Sequence, residues 1–491
     1  MKIKTILRML PVAALAIATT FTSCSDNNSD KPDPDNNEGN LSEIVFNGNE
    51  IGNGRQEFEV KGKYTLPKGT YTLKGWVYVT DGAELTIEPG TVIKGDKETE
   101  AALIVEPGGK LWAQGTATEP IVFTSAQPTG KRRPGDWGGL IICGRARNNQ
   151  GTMAIEGGPR TTHGGNDDND CSGAISYVRV EFAGYPFAPD QEINGITFGS
   201  VGKGTKIDHL QVSYSNDDSY EWFGGCADAR YLVAYHGWDD DFDTDNGFSG
   251  RVQFCLGVRN PRLADQSVSN GFESDNCSDA ATKSPFTSCV FSNVTFVGPM
   301  VEPSFVNTGD YINGGGLNPE NGSRLGQFQA AMQVRRNSHL SCFNSVAVGY
   351  PVGLIIENDK GATTQTAATD GTFKLNNIFF AGMGILGSDK NKSFINGLCV
   401  NGSDIDESKE SFSSTYFKSA TGNRVFNSIA DLGLNSDYKP QAGSPLLGSA
   451  SFADTLLSSG FDKVSYIGAF SGTSDSWMTG WTNFDPQNTT Y

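Results

Sequence analysis

The acids best placed to do chemistry lie in three short segments: SYEWFGG from Ser219, DFDTDNG from Asp241 and GFESDNC from Gly271. Aligned on Tyr220, Phe242 and Phe272, each aromatic residue is followed by an acid: Glu221, Asp243 and Glu273. Two residues on, Asp245 and Asp275 correspond, with Phe223 in that place in the first segment. The first two segments are 22 residues apart and the third lies 30 further on. On successive turns of a repeating fold, the aromatic residues would point inward and the acids would form an outer column about 4.8 Å apart. Each adjacent pair would repel by about 0.9 kcal/mol in water and about 3.5 kcal/mol at an effective dielectric near 20. A cation offsets such repulsion, and several hard carboxylate oxygens favour Ca²⁺ over a transition metal. The expected ligands are Glu221, Asp243, Asp245, Glu273 and Asp275. The bland alternative is a solvated acidic face, with water and salt screening the charges. An EF-hand does not fit: Gly247 falls one place late after Asp241, Asp243 and Asp245, and position twelve is Val252.

Other constellations are weaker. Trp222, Phe223 and Trp238 lie beside the acids and could stack on sugar rings; filling the core is the competing reading. Asp217 and Asp218 form a pair one repeat before the run Asp239–Asp245, an arrangement able to do acid–base work on a glycan. His236-Gly237 is similar to part of the GHG element of pectin-cleaving hydrolases, but the first Gly and a downstream Arg-x-Lys are missing. A lyase would have to draw its base from Arg251, Arg259 or Arg262, which read more simply as partners of nearby acids. His163, His209 and His339 are scattered, and GxSxG, HxxxH and CxxC are all absent. The loop with Asp167, Asp168 and Asp170 reads as solvated.

The elements that must carry these residues are short, strand-like and repeated. One pattern recurs as ISYVRVEFAG from Ile175, IDHLQVSYS from Ile207, FSNVTFVG from Phe291, FNSVAVG from Phe343 and LNNIFFAG from Leu375, with a weaker copy, ARYLVAYHG, from Ala229. The alternation is that of strands, and the Asn, Ser or Asp in the middle suits a bend. Sixty Gly and almost no amphipathic helical pattern add to a picture of stacked coils, each burying its apolar side chains only against the next. A β-sandwich would instead show tight hairpin turns. The expected fold is all-β, a parallel β-helix. At 20–30 residues per coil it would hold roughly 14–16 coils.

The runs LTIEPGTVIKG from Leu85, LIVEPGGKLWAQG from Leu103, PIVFTSA from Pro120 and DWGGLIICG from Asp136 extend the pattern, and AGSPLLGSA from Ala442, YIGAF from Tyr466 and WMTGWTNFDP from Trp477 close it. Together these resemble the right-handed parallel β-helix proteins found among exported bacterial lipoproteins and adhesins, from about Thr65 to Pro486. That group includes lyases, hydrolases and noncatalytic binding proteins, so the resemblance implies architecture without choosing an activity.

The first residues read as a targeting segment. Lys2, Lys4 and Arg8 precede the apolar run Met9–Phe21, and FTSC resembles a lipobox with Phe21 where Leu is usual. Residues 1–23 are then a lipoprotein signal peptide, Cys24 the lipidated residue and 24–43 a flexible tether. Residues 44–75 form an N-terminal cap region, 76–441 the β-helix and 442–491 a closing segment. Eight further cysteines permit disulfides in an exported protein. A net charge of −18 argues against nucleic acid as a partner. The expected protein is an outer-membrane, surface-exposed lipoprotein, joined to the membrane by its lipid, that binds an extracellular glycan or a surface protein without catalysis. Ca²⁺ would stabilise it, and no nucleotide or organic cofactor is indicated. The alternatives are a polysaccharide lyase or glycoside hydrolase using the acidic face, and a structural or adhesive rod.

Overall fold

The computed structural model describes residues 39–188, 191–279, 282–307, 326–357, 364–390 and 410–491. The expected signal peptide, the expected lipidation site Cys24, most of the expected tether and Cys399 lie outside them. Among the described residues no helix is long and apolar enough to cross a membrane.

The chain winds as a right-handed parallel β-helix; from Gly173 on, each coil contributes a long strand and a short one, while earlier coils carry two short strands in place of the long one, such as Glu84–Ile87 and Val92–Gly95. The long strands run Gly173–Glu181, Lys206–Ser213, Ala229–Tyr235, Arg251–Val258, Val290–Val297, Ser341–Val348 and Leu375–Ala381, each paired in parallel with the next. The short strands make a second sheet of eleven, from Phe58–Val60 to Ile385–Ser388. Eleven layers at the strand spacing give a stack of about 50 Å. The described residues build eleven such layers, fewer than the expected 14–16 coils, because insertions such as residues 144–172 use up chain without adding a layer.

Each long strand bends at one residue held at positive φ: Tyr177, His209, Tyr231, Phe254, Asn293, Asn344 and Asn377, all between 49° and 60°. A side chain in this left-handed region costs about 1–2 kcal/mol unless neighbours offset it. The first four offset it by stacking, with centroids 4.3, 4.5 and 5.1 Å apart. The last three use amides: Asn377 Nδ2 donates to Asn344 Oδ1 (2.7 Å), and Asn293 and Asn344 donate to backbone carbonyls of the C-terminal segment. The bend therefore falls one residue after Ser176 and Asp208, on a ring. Register also corrects the copy at Phe343. Cys342, not Phe343, pairs with Phe291 and Leu375 and fills the inward slot.

The Ile44 region lies at the N-terminal end, with Ile44 and Leu41 on the core. The other end is covered by the helix Phe412–Ser419, whose Phe417 stacks on Phe380 at 4.3 Å. The closing segment does not cap that end. It runs back along the flank of the long-strand sheet, from Ser451 on Asn344 through Asp462 on Gln253 and Asn483 on Gln211 to Tyr491 on Glu181. It seals the outward apolar residues Val233, Leu256, Val346 and Phe379 under Ile467, Phe470 and Trp481. The core cysteines Cys255, Cys289 and Cys342 are free thiols, and Cys171 is disulfide-bonded.

Candidate functional site

The three acidic segments lie on neighbouring coils. Tyr220 pairs with Phe242 and Phe242 with Phe272; one residue on, Glu221 pairs with Asp243 and Asp243 with Glu273. The rings point inward, Tyr220 stacking on Phe242 at 5.5 Å. Strand alternation then turns Glu221, Asp243 and Glu273 to the outer face.

A second column lies in the turns that enter these strands. Asn194, Asp218, Asp240 and Asn270 each sit two residues before the register position shared by Ile196, Tyr220, Phe242 and Phe272. The column is bonded coil to coil: Asp240 N donates to Asp218 Oδ1 (2.7 Å), and Asn270 N to Asp240 Oδ1. Turn and strand columns together build three carboxylate triads: Asp217, Asp218 and Asp239; Asp218, Glu221 and Asp243; and Asp240, Asp243 and Glu273. Within each triad the potential ligand atoms lie within 4.8 Å of one another, and Asp218 and Asp243 each serve two triads.

This is not a solvated face. Asp218, Glu221, Asp240 and Glu273 are buried, and Oδ1 of Asp239, Oδ1 of Asp243 and Oδ1 of Asn194 are buried without a hydrogen-bond partner. The Asn194 amide donates its other end to Glu221. Burial first, and neighbouring carboxylates second, push Asp217, Asp218, Glu221, Asp239, Asp240 and Asp243 well above the usual carboxylate range.

Arginines neutralise only the margins. Arg335 pairs with Glu273 and Asp275, and Arg336 with Asp275. Arg259 forms a fully buried pair with Asp241 (2.9 Å) and donates to the carbonyls of Gly237 and Trp238, fixing the turn that carries Asp239 and Asp240. Among the described residues no salt bridge reaches Asp217, Asp218, Glu221, Asp239, Asp240 or Asp243. The all-oxygen, multiply charged donor set fits a hard divalent cation such as Ca²⁺. The fit shifts the expected ligand set. Glu221, Asp243 and Glu273 belong to triads; Asp245, which accepts from Asn246, and Asp275, held by two arginines, do not. Asp218 and Asp240 take their places. The repeated spacing Asp217-Asp218-x-x-Glu221 and Asp239-Asp240-x-x-Asp243, 22 residues apart, was the sequence signal for them.

The three aromatic residues expected to meet a sugar offer no free ring face. Trp222 is in the core, stacked between Phe198 and Phe248 at 5.5 and 5.3 Å. It shares the inward parity of Tyr220. Phe223 points outward but is buried beneath an insertion with Trp76, Tyr78 and Ile155. Trp238 is 4% exposed. Elsewhere, Arg251 pairs with Asp228, and in the polar loop Asp168 pairs with Arg147 while Asp170 accepts from Arg145 N.

Coils of this geometry belong to a pectate-lyase-like class of β-helix, one with a glycan-related role at the family level. The family model described as "Pectate-lyase like beta helix domain" matches residues 59–428, three quarters of the sequence, and the chain belongs to that family. Among solved structures it is similar to the crystal structure of pectate lyase Pel9A, at 14% identity and a TM-score of 0.36, covering 83% of this chain and 87% of that one. No curated protein matches.

Proposed function

We propose that the protein is a surface lipoprotein that binds an acidic extracellular glycan through Ca²⁺ held on the carboxylate triads. The observation that carries this reading is the set of six buried or half-buried carboxylates without a cationic partner, with ligand atoms within 4.8 Å in each triad. A protein of net charge −18 repels a polyanion; a bound divalent cation reverses the sign locally and can share its remaining coordination positions with sugar carboxylates. Burial raises the stakes, because a carboxylate pair at this spacing repels by about 3.5 kcal/mol at an effective dielectric near 20. The acyl chain on Cys24 and the polar tether would present the acidic face outside the outer membrane.

Binding without cleavage is favoured by the state of the nearby bases. Arg335 is half-buried among carboxylates that hold its guanidinium strongly protonated, and Arg259 is consumed by Asp241 and two carbonyls. The test is calorimetric titration of Ca²⁺ into chelator-treated protein, followed by titration of oligogalacturonate with and without Ca²⁺. Ca²⁺-dependent oligogalacturonate binding without new unsaturated or reducing ends supports the proposal. Products would establish the enzyme instead, and no binding of either the cation or the glycan would leave the structural rod.

A further inference from the structure

Near the turn that carries Asp239 and Asp240 lies a cleft that the acidic face does not use. It has a volume of about 490 Å³ and is walled by Tyr235 and His236 from one coil and by Tyr438, Met478, Thr482 and Phe484 from the C-terminal segment. We propose that this cleft is a second, cation-independent glycan site that takes one unit of an uncharged or amino sugar.

The walls have the chemistry of a sugar pocket. Phe484 is 39% exposed and stands edge-on to Tyr235 at 5.0 Å, while Tyr235 lies flat on His236 at 3.7 Å. These rings offer apolar faces of the size of a pyranose, with polar groups around them. The hydroxyls of Tyr235 and Tyr438 have no hydrogen-bond partner among the described residues, and Thr482, Ser436 and Asp437 bring further hydrogen-bonding groups to the rim. Tyr438 is held at φ 59° by a turn in which Asn435 Oδ1 accepts from the backbone of Asp437 and Lys439. Asn or Gly would adopt that conformation with less strain, and here the strained position carries a ring that walls the cleft.

Charge selects the ligand. Asp437 lines the cleft, and Asp485 acts electrostatically on the Tyr235 hydroxyl. The one lining cation, Lys439, spends its ammonium on the Asp475 carbonyl (2.6 Å) and the Phe470 ring. A uronate or phosphate therefore meets net repulsion, and a neutral or amino sugar does not. His236 and Asp239 are three residues apart, at most about 11 Å of chain, so the cleft adjoins the cation face. The cleft's ligand chemistry is nevertheless separate and needs no metal.

The test is calorimetry in EDTA with glucose, galactose, mannose and N-acetylglucosamine oligomers as probes and oligogalacturonate as the contrast. Binding of at least one uncharged oligomer in EDTA, weakened about tenfold or more in both Phe484→Ala and Tyr438→Asn but unchanged in Asp243→Asn, is the expected result. Melting midpoints within a degree or two of the parent would show that both cleft variants fold, since Phe484 is exposed and Asn accepts the Tyr438 backbone. Three outcomes would overturn the proposal: no uncharged oligomer binding in EDTA, binding indifferent to both variants, or binding only when Ca²⁺ is present. None of these depends on whether the acidic face binds its cation.

Discussion

Replacing Asp243 with Asn separates repulsion from ligation, because Asp243 belongs to two triads and faces Asp218, Glu221, Asp240 and Glu273. If fully ionised, each such pair at 4.8 Å would repel by about 3.5 kcal/mol at an effective dielectric near 20. Burial and mutual repulsion raise the proton affinity of these carboxyls, so the four pairs do not all count as fully ionised. In chelator the Asp243→Asn variant should therefore be more stable than the parent by about 1–3 kcal/mol, well below the four-pair sum. With Ca²⁺ the order reverses. A site at one hundred times its Kd stabilises the parent by about 2.7 kcal/mol, and the variant, short of a shared ligand, loses most of that gain. Urea midpoints at pH 8, in EDTA and across a Ca²⁺ titration, read both effects. A displacement of the same sign and size in both conditions would refute the cation argument, as would a Ca²⁺ response undiminished in the variant.

Other perturbations reach the scaffold. Phe242→Ala empties a fully buried slot in the aromatic column and should cost about 3–5 kcal/mol with or without Ca²⁺, seen as a lower urea midpoint in both. Arg259→Met leaves Asp241 alone in a dry interior and should cost about 3–5 kcal/mol; adding Asp241→Leu should restore much of it in a double-mutant cycle. His163 is buried and its pKa is lowered by desolvation to about 4. The unfolded imidazole takes its proton near 6.5. The unfolded chain thus binds more protons between those values, and stability contributed by His163 is complete above about 6.5 and falls as pH drops toward 4, by up to about 1.4 kcal/mol per pH unit. His163→Gln should flatten that part of the pH profile of the denaturation midpoint. Asn344→Ala removes a donor to Ser451 and an acceptor from Asn377 and Ser451, and should cost about 2–4 kcal/mol, with the C-terminal segment becoming the first site of proteolysis.

The fold was legible because stacking imposes a register that the sequence repeats. Phe242 and Phe272 could be aligned with Tyr220 from spacing alone, and Glu221, Asp243 and Glu273 followed by one residue. The same alternation contained the correction for Trp222, which shares the parity of Tyr220 and must therefore point inward. Phe223 has outward parity, but the insertion that buries it, carrying Ile155 and His163, comes from sequence some 60–70 residues earlier. The loss of Asp275 from the ligand set was not legible, since Arg335 and Arg336 reach it from 60 and 61 residues downstream across a long insertion. Nor was the path of the closing segment. Its Trp477 and Trp481 announce burial against something, and only the bend ladder of Tyr177, His209 and Tyr231 shows what.

A stack of coils is by itself a zipper: each layer touches only its neighbours, and unravelling can start at an end and travel inward one rung at a time. The segment laid along the flank changes that behaviour. Through Asn344, Gln253, Gln211 and Glu181 it ties layers that are otherwise strangers to one another. Peeling the last coils requires lifting the fastener off the earlier ones as well, so the rungs are made to yield together. A single cut in the backbone near the start of that segment, with every coil left intact, would return the molecule to fraying from one end.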